Sequence, residues 1–413
     1  IRVLRPGFTG VETFAQPFVN HLAIFGTLRY LGWSNSNNSN VINWSDNSST
    51  GYACWSIDTH AGVPWEVCIY AANAADADMW ITVPHKATDA YVTQLATLIR
   101  DRLEPGRRVF VEYSNELWNF SFQQTSWNRT QAIAEVNAGG SNLVYDGQTD
   151  DRFWYIRRAA RRTLEISSIF GQVFGPGSRN TRFLPVLSGR CWLTDELADA
   201  LTYIKDNYGS PATLIHAIAV APYIYINFGD EPAGSLTKDQ ILDYLQTDLN
   251  NLPTNANFEA FRALCQWHGI NLLGYEVGPD TAGPNNIPAK IAAHHDARMR
   301  QICRDYLTLL GAWGFEDACW SAWGAGTFNS PYGSWGLSED ISTINAAPKA
   351  LALADVRAAS PPPLTGGVAL PGLIDARRHA FRSPSWQNGP FLILTGAGQH
   401  RDYLVRVDGA SPR

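Results

Sequence analysis

Val111-Glu112-Tyr113-Ser114-Asn115-Glu116-Leu117-Trp118-Asn119 places an Asn-Glu pair at the end of an apolar, β-rich run. Valine and tyrosine favour a pleated, buried surface and Ser114-Asn115 interrupts it, so 108–113 is expected to be a short strand with its polar groups at the C-terminal end. Similar runs lie at 2–5, 27–31, 79–83, 183–187, 217–223, 271–275 and 318–322, which makes eight candidate strands. Helical periodicity fills most of the intervals. Tyr91, Val92, Leu95, Leu98, Ile99 and Leu103 form one apolar stripe, and Met299, Ile302, Cys303, Tyr306, Leu309 and Leu310 form another. Strands alternating with helices predict a parallel sheet. Eight such units predict the α/β class and a closed (β/α)8 TIM barrel.

Loop lengths give the sheet a polarity. The segments after strands are long (32–66, 117–150, 224–258, 277–296), whereas segments leading into strands are short, such as 104–107 and 268–269. Barrel enzymes build their sites from the loops that follow the strands, and Asn115, Glu116 and Glu276 all fall at such ends. The barrel is expected to occupy 1–358. Pro361-Pro362-Pro363 and Gly366-Gly367 mark 359–367 as a linker, and 368–413, with strand-like Phe391-Leu392-Ile393-Leu394, is expected to form a small C-terminal β appendage. Val368 to Ala376 resembles the opening strand of β-sandwich carbohydrate-binding modules, although too little chain follows to complete one.

The chain has 413 residues, 45% hydrophobic and 17% charged, enough apolar content for a substantial core and with no 18-residue apolar run to suggest a membrane span. A net charge of -6 argues against a nucleic-acid partner, which calls for a basic surface. The one basic cluster, Arg157, Arg158, Arg161 and Arg162, shares a helix with Phe153, Ile156, Ala160 and Leu164 and is expected to be its solvated face. Of six cysteines, Cys191, Cys265, Cys303 and Cys319 sit in apolar patterns typical of buried thiols, while Cys54 and Cys68 flank a polar loop and could pair in an oxidising compartment. No Gly-rich phosphate loop follows a strand and no Gly-x-Ser-x-Gly elbow occurs, so no cofactor is expected. His294-His295-Asp296 has the residue types of a metal site, but neighbours on a helix point in different directions, and no metal is expected.

A second carboxylate closes the run Leu272-Leu273-Gly274-Tyr275-Glu276. Cleaving an acetal between sugars needs one carboxyl group to protonate the leaving oxygen and another to attack or stabilise the sugar cation, so two strand-end glutamates suggest glycoside hydrolysis. The full set, Asn-Glu ending the fourth strand, tyrosine ending the sixth, glutamate ending the seventh and tryptophan on the eighth, resembles the clan of retaining glycoside hydrolases with (β/α)8 barrels, which includes cellulases and mannanases. The resemblance implies that Glu116 is the acid/base, Glu276 the nucleophile and Asn115 the ligand of the sugar 2-hydroxyl. It also implies substrate-side roles for Arg29 and His85 at strands two and three, and for Tyr223 or Tyr225 at strand six. Two departures stand out: Ala221-Pro222-Tyr223 lacks the histidine of the clan's frequent His-x-Tyr, and Leu117 replaces the proline common after the acid/base.

Aromatic faces stack on pyranose rings, and several of the fifteen tryptophans lie in post-strand loops: Trp33, Trp44, Trp55, Trp65, Trp127, Trp323 and Trp335. Trp33, Trp44 and, at strand eight, Trp320 or Trp323 are candidate sugar platforms; Asp46, in the polar stretch 35–47, is a candidate hydroxyl ligand. The expected substrate is a β-linked poly- or oligosaccharide of β-glucan or β-mannan type, cut internally by a secreted or periplasmic monomer. The alternatives are a barrel that binds glycans without cleaving them, and metal-dependent hydrolysis through His294, His295 and Asp296.

Overall fold

The structure, a computed structural model, describes residues 14–51, 55, 62–225, 236–321, 328–331, 333–359, 391–395 and 402–406. The expected strand at 2–5 lies outside these residues. The other seven are present, within β1 (Thr27–Arg29), β2 (Asp78–Val83), β3 (Val109–Tyr113), β4 (Phe183–Ser188), β5 (Ala217–Val220), β7 (Asn271–Val277) and β9 (Phe315–Trp320), and two-residue strands β6 (Ile224–Tyr225) and β8 (Pro279–Asp280) lie between them. The hydrogen-bonded order is β1-β2-β3-β4-β5-β7-β9, with helices in the intervals. β1 to β4 pair successively in parallel, as do β7 with β9 and β6 with β8. Sequential parallel strands joined by helical crossovers are the topology of the (β/α)8 barrel class.

The chain divides into two compact units, Ile1–Gly189 with Ala200–Ala217, and Arg190–Asp199 with Ile218–Arg413. In the first, every residue of β2 and β3 is buried, as expected where a sheet is covered on both faces. At the start of these strands Asp78 accepts from the Arg108 backbone and Nε, each at 2.7 Å. The helix Asp89–Arg102 is capped by the Thr88 hydroxyl, which accepts from Tyr91 N, and buries Tyr91, Val92, Leu95, Ala96 and Ile99. Segment 117–150, expected as loop, contains the helix Gln123–Ala138.

The arginine cluster departs from expectation. On the helix Asp151–Phe174, Arg157 is fully buried and forks onto Asp146 at 2.8 and 2.9 Å. Arg158 lies over the Trp127 ring, Arg161 grips Glu135, and Arg162 meets Asp89 and Glu165. Spacing alone could not reveal this, because Asp146, Trp127, Glu135 and Asp89 sit on other segments. The pairing of Cys54 with Cys68 is not borne out either: Cys68 is a buried free thiol on the helix Trp65–Ala75, and Cys54 lies outside the described residues.

In the second unit, the helix Ala256–His268 ends at Gly269, which takes a left-handed turn (φ 69°) into β7. β9 begins three residues earlier than the sequence suggested, after Gly314 (φ 85°) reverses the chain; Glu316 and Asp317 disguise its first half. β5 stops at Val220, where the following Ala221-Pro222 cannot continue the ladder. Further helices, Lys238–Asn251 and Ile287–His294, occupy parts of the expected loops 224–258 and 277–296. Phe391–Thr395 and Asp402–Arg406 form an antiparallel pair in the tail. Among the described residues, no helix is long and apolar enough to cross a membrane.

Candidate active site

The first unit carries Glu116 three residues beyond β3. Ser114 (φ 60°) and Glu116 (φ 43°) both adopt left-handed conformations that side chains other than glycine disfavour, and such strain collects where a fold aims a functional group. The turn is held by Asn119 N and Thr125 Oγ1, which donate to the Glu116 carbonyl at 2.8 and 3.0 Å. The half-buried carboxylate accepts from Asn119 Nδ2 at 2.9 Å. Asn115, buried at 2% exposure, accepts from Arg29 Nη2 at 2.8 Å and donates through Nδ2 to Asn37 at 3.0 Å. Arg29 projects from the end of β1 and lies over the Trp80 ring.

His85 follows β2 and is buried, yet neither ring nitrogen has a hydrogen-bond partner among the described residues. Its backbone carbonyl accepts from Tyr113 Oη at 2.8 Å, and its ring meets Trp127 edge-on at 5.3 Å. Burial, with help from neighbouring Lys86, pushes the imidazole pKa down to about 4, so the ring is neutral through the physiological range.

In the second unit, Glu276 is aimed by a β-bulge. Gly274 pairs with Ala318 and Val277 with Trp320, so Tyr275 and Glu276 stand opposite the single residue Cys319. Gly274 makes this possible: a Cβ there would lie 2.7 Å from Val277 Cγ1. Tyr223 Oη donates to Glu276 Oε2 at 2.8 Å. Its neighbouring Pro222 carbonyl is fastened in turn by the buried Tyr306 hydroxyl at 2.5 Å. Tyr225, the other candidate at this position, is exposed and uses its backbone N–H on Asp248. Trp320 ends β9, with its indole N–H donating to the Trp335 carbonyl at 3.0 Å and Gly278 (φ 138°) packed against its ring.

No family model and no curated protein matches the sequence. Solved structures align with its fold. A family 51 α-L-arabinofuranosidase from Bifidobacterium longum aligns at 11% identity and a TM-score of 0.48, over 86% of this chain and 69% of that one. A GH51 arabinofuranosidase from Xanthomonas axonopodis pv. citri aligns at 11% and 0.47, over 73% of this chain and 58% of its own length. A fungal β-1,4-galactanase aligns at 12% and 0.38, over 72% and 83%. The chain thus spans 58% of the Xanthomonas enzyme's length.

The remaining candidates have the following surroundings. Trp33 stacks on Phe18 and leans on Tyr30, and Trp44 packs against Tyr91, so each has a packing role. The Asp46 carboxylate accepts from the backbones of Ile42 and Asn43, which holds it below the usual carboxylate range. Trp323 lies outside the described residues. His294, His295 and Asp296 diverge: His294 bonds Thr281, His295 meets Glu339, and Asp296 caps the helix Ala297–Ala312 and pairs with Lys238. No group of three metal-ligating side chains converges among the described residues.

Sequence reasoning passed over Glu112, Asn37, Gln124, Ser188 and Asp280. Glu112 was the legible one, because a carboxylate at a fully buried strand position needs partners. Asp280, whose carboxyl is pushed up by burial, sits four residues beyond Glu276 and accepts from Ala282 N at 2.8 Å.

Proposed function

We propose that this chain is a retaining β-glycosidase that cleaves a β-linked poly- or oligosaccharide, with Glu276 as nucleophile and Glu116 as acid/base. The observation that carries the reading is the treatment of the two carboxylates. Each stands at the C-terminal end of a parallel strand, each is turned by a local irregularity (a bulge at Glu276, a left-handed φ at Glu116), and each accepts a hydrogen bond from a neutral side chain, Tyr223 at Glu276 and Asn119 at Glu116. Two carboxylates turned in this way at strand ends are the equipment that double displacement at an acetal needs.

In this mechanism Glu276 attacks the anomeric carbon while Glu116 protonates the departing oxygen. Glu116 then deprotonates the water that releases the sugar from the enzyme. Tyr223 steadies the attacking oxygen of Glu276, and Asn115 donates to the 2-hydroxyl. His85 supplies a neutral ring for a hydroxyl further along the sugar. Retention requires the two carboxyl groups to work about 5 to 5.5 Å apart.

The test is a screen of aryl glycosides and polysaccharides that includes β-glucans, β-mannans, β-1,4-galactan and arabinofuranosides, with the anomer of the first product read by NMR. The Glu276→Ala variant is expected to fold and to lose turnover, and azide to restore activity to Glu116→Ala on an activated aryl glycoside. Undiminished hydrolysis by Glu276→Ala removes the assignment. Glycan binding with no cleavage by the unaltered protein would replace it with a binding function.

A further inference from the structure

We propose that the two-stranded ribbon of β6 and β8 is a second sugar subsite, in which the Tyr225 ring carries the sugar next to the one cleaved and the Asp280 carboxylate accepts from its hydroxyls. It rests on the glycosidase reading above and narrows the substrate to a chain of sugars held at more than one unit.

β6 follows β5 after Ala221, Pro222 and Tyr223, and β8 follows β7 after Gly278 alone, so the ribbon prolongs two sheet strands beyond their C-terminal ends. Its strands pair in parallel, Ile224 with Pro279 and Tyr225 with Asp280. Residues paired in register point to the same face, on strands about 4.8 Å apart, so the Tyr225 ring and the Asp280 carboxyl are neighbours. Alternation fixes which face this is. Successive side chains of an extended chain point opposite ways, so Tyr225 shares the side of Tyr223, about 6.6 Å further along, and Ile224 points away. Burial agrees: Ile224 is fully buried and Tyr225 is 48% exposed. Tyr223 reaches Glu276 Oε2, so the face that presents Tyr225 and Asp280 continues from the nucleophile.

The surroundings leave both groups available to a ligand. Tyr225 is anchored by its backbone, whose N–H donates to Asp248 Oδ2 at 3.0 Å, so the strand is held without the ring. Asp280 is half-buried, and Oδ1 accepts from Ala282 N at 2.8 Å; a carboxylate has room for several more donors. Lys290, a cation that bears on it, gives its ammonium to the carbonyls of Ala282 and Gly283 at 3.3 and 3.2 Å. Gly333 (φ 116°) keeps the space beside the carboxylate open: a Cβ there would stand 3.3 Å from Asp280 Oδ1 and 3.0 Å from Trp335 Nε1. The Trp335 carbonyl takes the Trp320 indole N–H, and the Trp320 ring lies against Gly278. Nucleophile, strand-end tryptophan, carboxylate and exposed tyrosine thus succeed one another along β7, β8 and β6.

An aromatic face stacks on the C–H face of a pyranose, and a carboxylate accepts from its hydroxyls. The Asp280 charge repels a phosphate or a carboxylate, which leaves a neutral, hydroxyl-rich ring as the ligand that fits this pair. Binding energy gained on a sugar remote from the scissile bond serves the reaction at that bond, so the subsite acts on kcat/KM for long substrates.

The experiment compares the 4-nitrophenyl monoglycoside with the unsubstituted tetrasaccharide of whichever glucan, mannan or galactan series the unaltered enzyme cleaves fastest. Tyr225→Ala is expected to lower the ratio of kcat/KM on the tetrasaccharide to kcat/KM on the monoglycoside about 10-fold. Asp280→Asn, which keeps an oxygen for Ala282 N, should lower it about fivefold. Tyr225→Phe should hold the ratio within about twofold, because the ring does the stacking. In the Glu276→Ala background, Tyr225→Ala should weaken calorimetric binding of the tetrasaccharide by a similar factor, a readout that needs no turnover. Equal losses on the two substrates, a Tyr225→Phe ratio as low as that of Tyr225→Ala, or an unaltered enzyme that gains nothing from the longer chain would overturn the subsite while leaving the glycosidase reading intact. An unaltered enzyme that cleaves no glycoside overturns that reading, and the subsite with it.

Discussion

The hydrogen bond from Tyr223 to Glu276 makes a demanding prediction about one step of turnover. Tyr223→Phe removes a single oxygen, 2.8 Å from Glu276 Oε2, and keeps the ring. A hydrogen bond to a charged group contributes about 1.5 to 3 kcal/mol, and Tyr223 is only half-buried, so the lower part of that range applies. At about 1.4 kcal/mol per factor of ten, the loss is roughly 10- to 50-fold in the step that uses the bond most. That step is deglycosylation. The carboxylate must then leave the sugar, and the tyrosine stabilises the charge it regains. During attack the effects partly cancel, since a carboxylate with one donor fewer is a stronger nucleophile while it loses part of its aim. On an activated aryl glycoside, kcat and apparent KM should therefore fall together, and a burst of aryl alcohol approaching one equivalent should precede the steady state. Stopped-flow absorbance reads both. An unchanged kcat with no burst, in a variant that melts within a few degrees of the unaltered enzyme, would refute the role given to Tyr223.

Gly274→Ala places a Cβ 2.7 Å from Val277 Cγ1 and 3.4 Å from that of Ala318; overpacking of this kind costs about 1 to 3 kcal/mol and should lower the urea midpoint while misaiming Glu276, so an unaltered midpoint and kcat would show that the bulge tolerates a side chain. His85 gives a pH signature. Its pKa is about 4 in the folded chain, against an ordinary value of 6.5, so between these the unfolded chain binds more protons. Stability should thus fall as pH drops through that window, and His85→Asn should flatten the slope; an identical slope in urea titrations at pH 4.5 and 7, about the two sides of the transition, would sink the assignment. Asp146→Ala removes the carboxylate that the buried Arg157 guanidinium forks onto and should destabilise the fold by about 3 kcal/mol, with partial recovery when Arg157→Leu is added; a change below about 1 kcal/mol would show that the arginine is held by its other contacts.

Periodicity alone was enough for the repeating βα plan. β2 and β3 are apolar throughout because both faces are covered, and helices such as Asp89–Arg102 bury the stripe that their spacing announces. These are local signals, written within ten or twenty residues and legible without knowing what lies opposite. Strand-end position likewise marked Asn115, Glu116 and Glu276 as candidates. Long-range partners were not legible. Arg157 to Arg162 have the spacing of a solvated face, but Asp146, Glu135 and Asp89 arrive from other segments to draw them in. The neighbours of Trp33, Trp44 and Asp46 were equally hidden in the sequence: the fold supplies Phe18, Tyr91 and two backbone amides. The bulge that turns Glu276 exists only in the register between β7 and β9, and the partners of Asn115 only when Arg29, Asn37 and Gln124 arrive from three other segments. Hydrophobic periodicity is a property of one segment, whereas a hydrogen bond is a property of two; the first can be read from a string of residues, and the second waits on the fold that brings its partners within 3 Å.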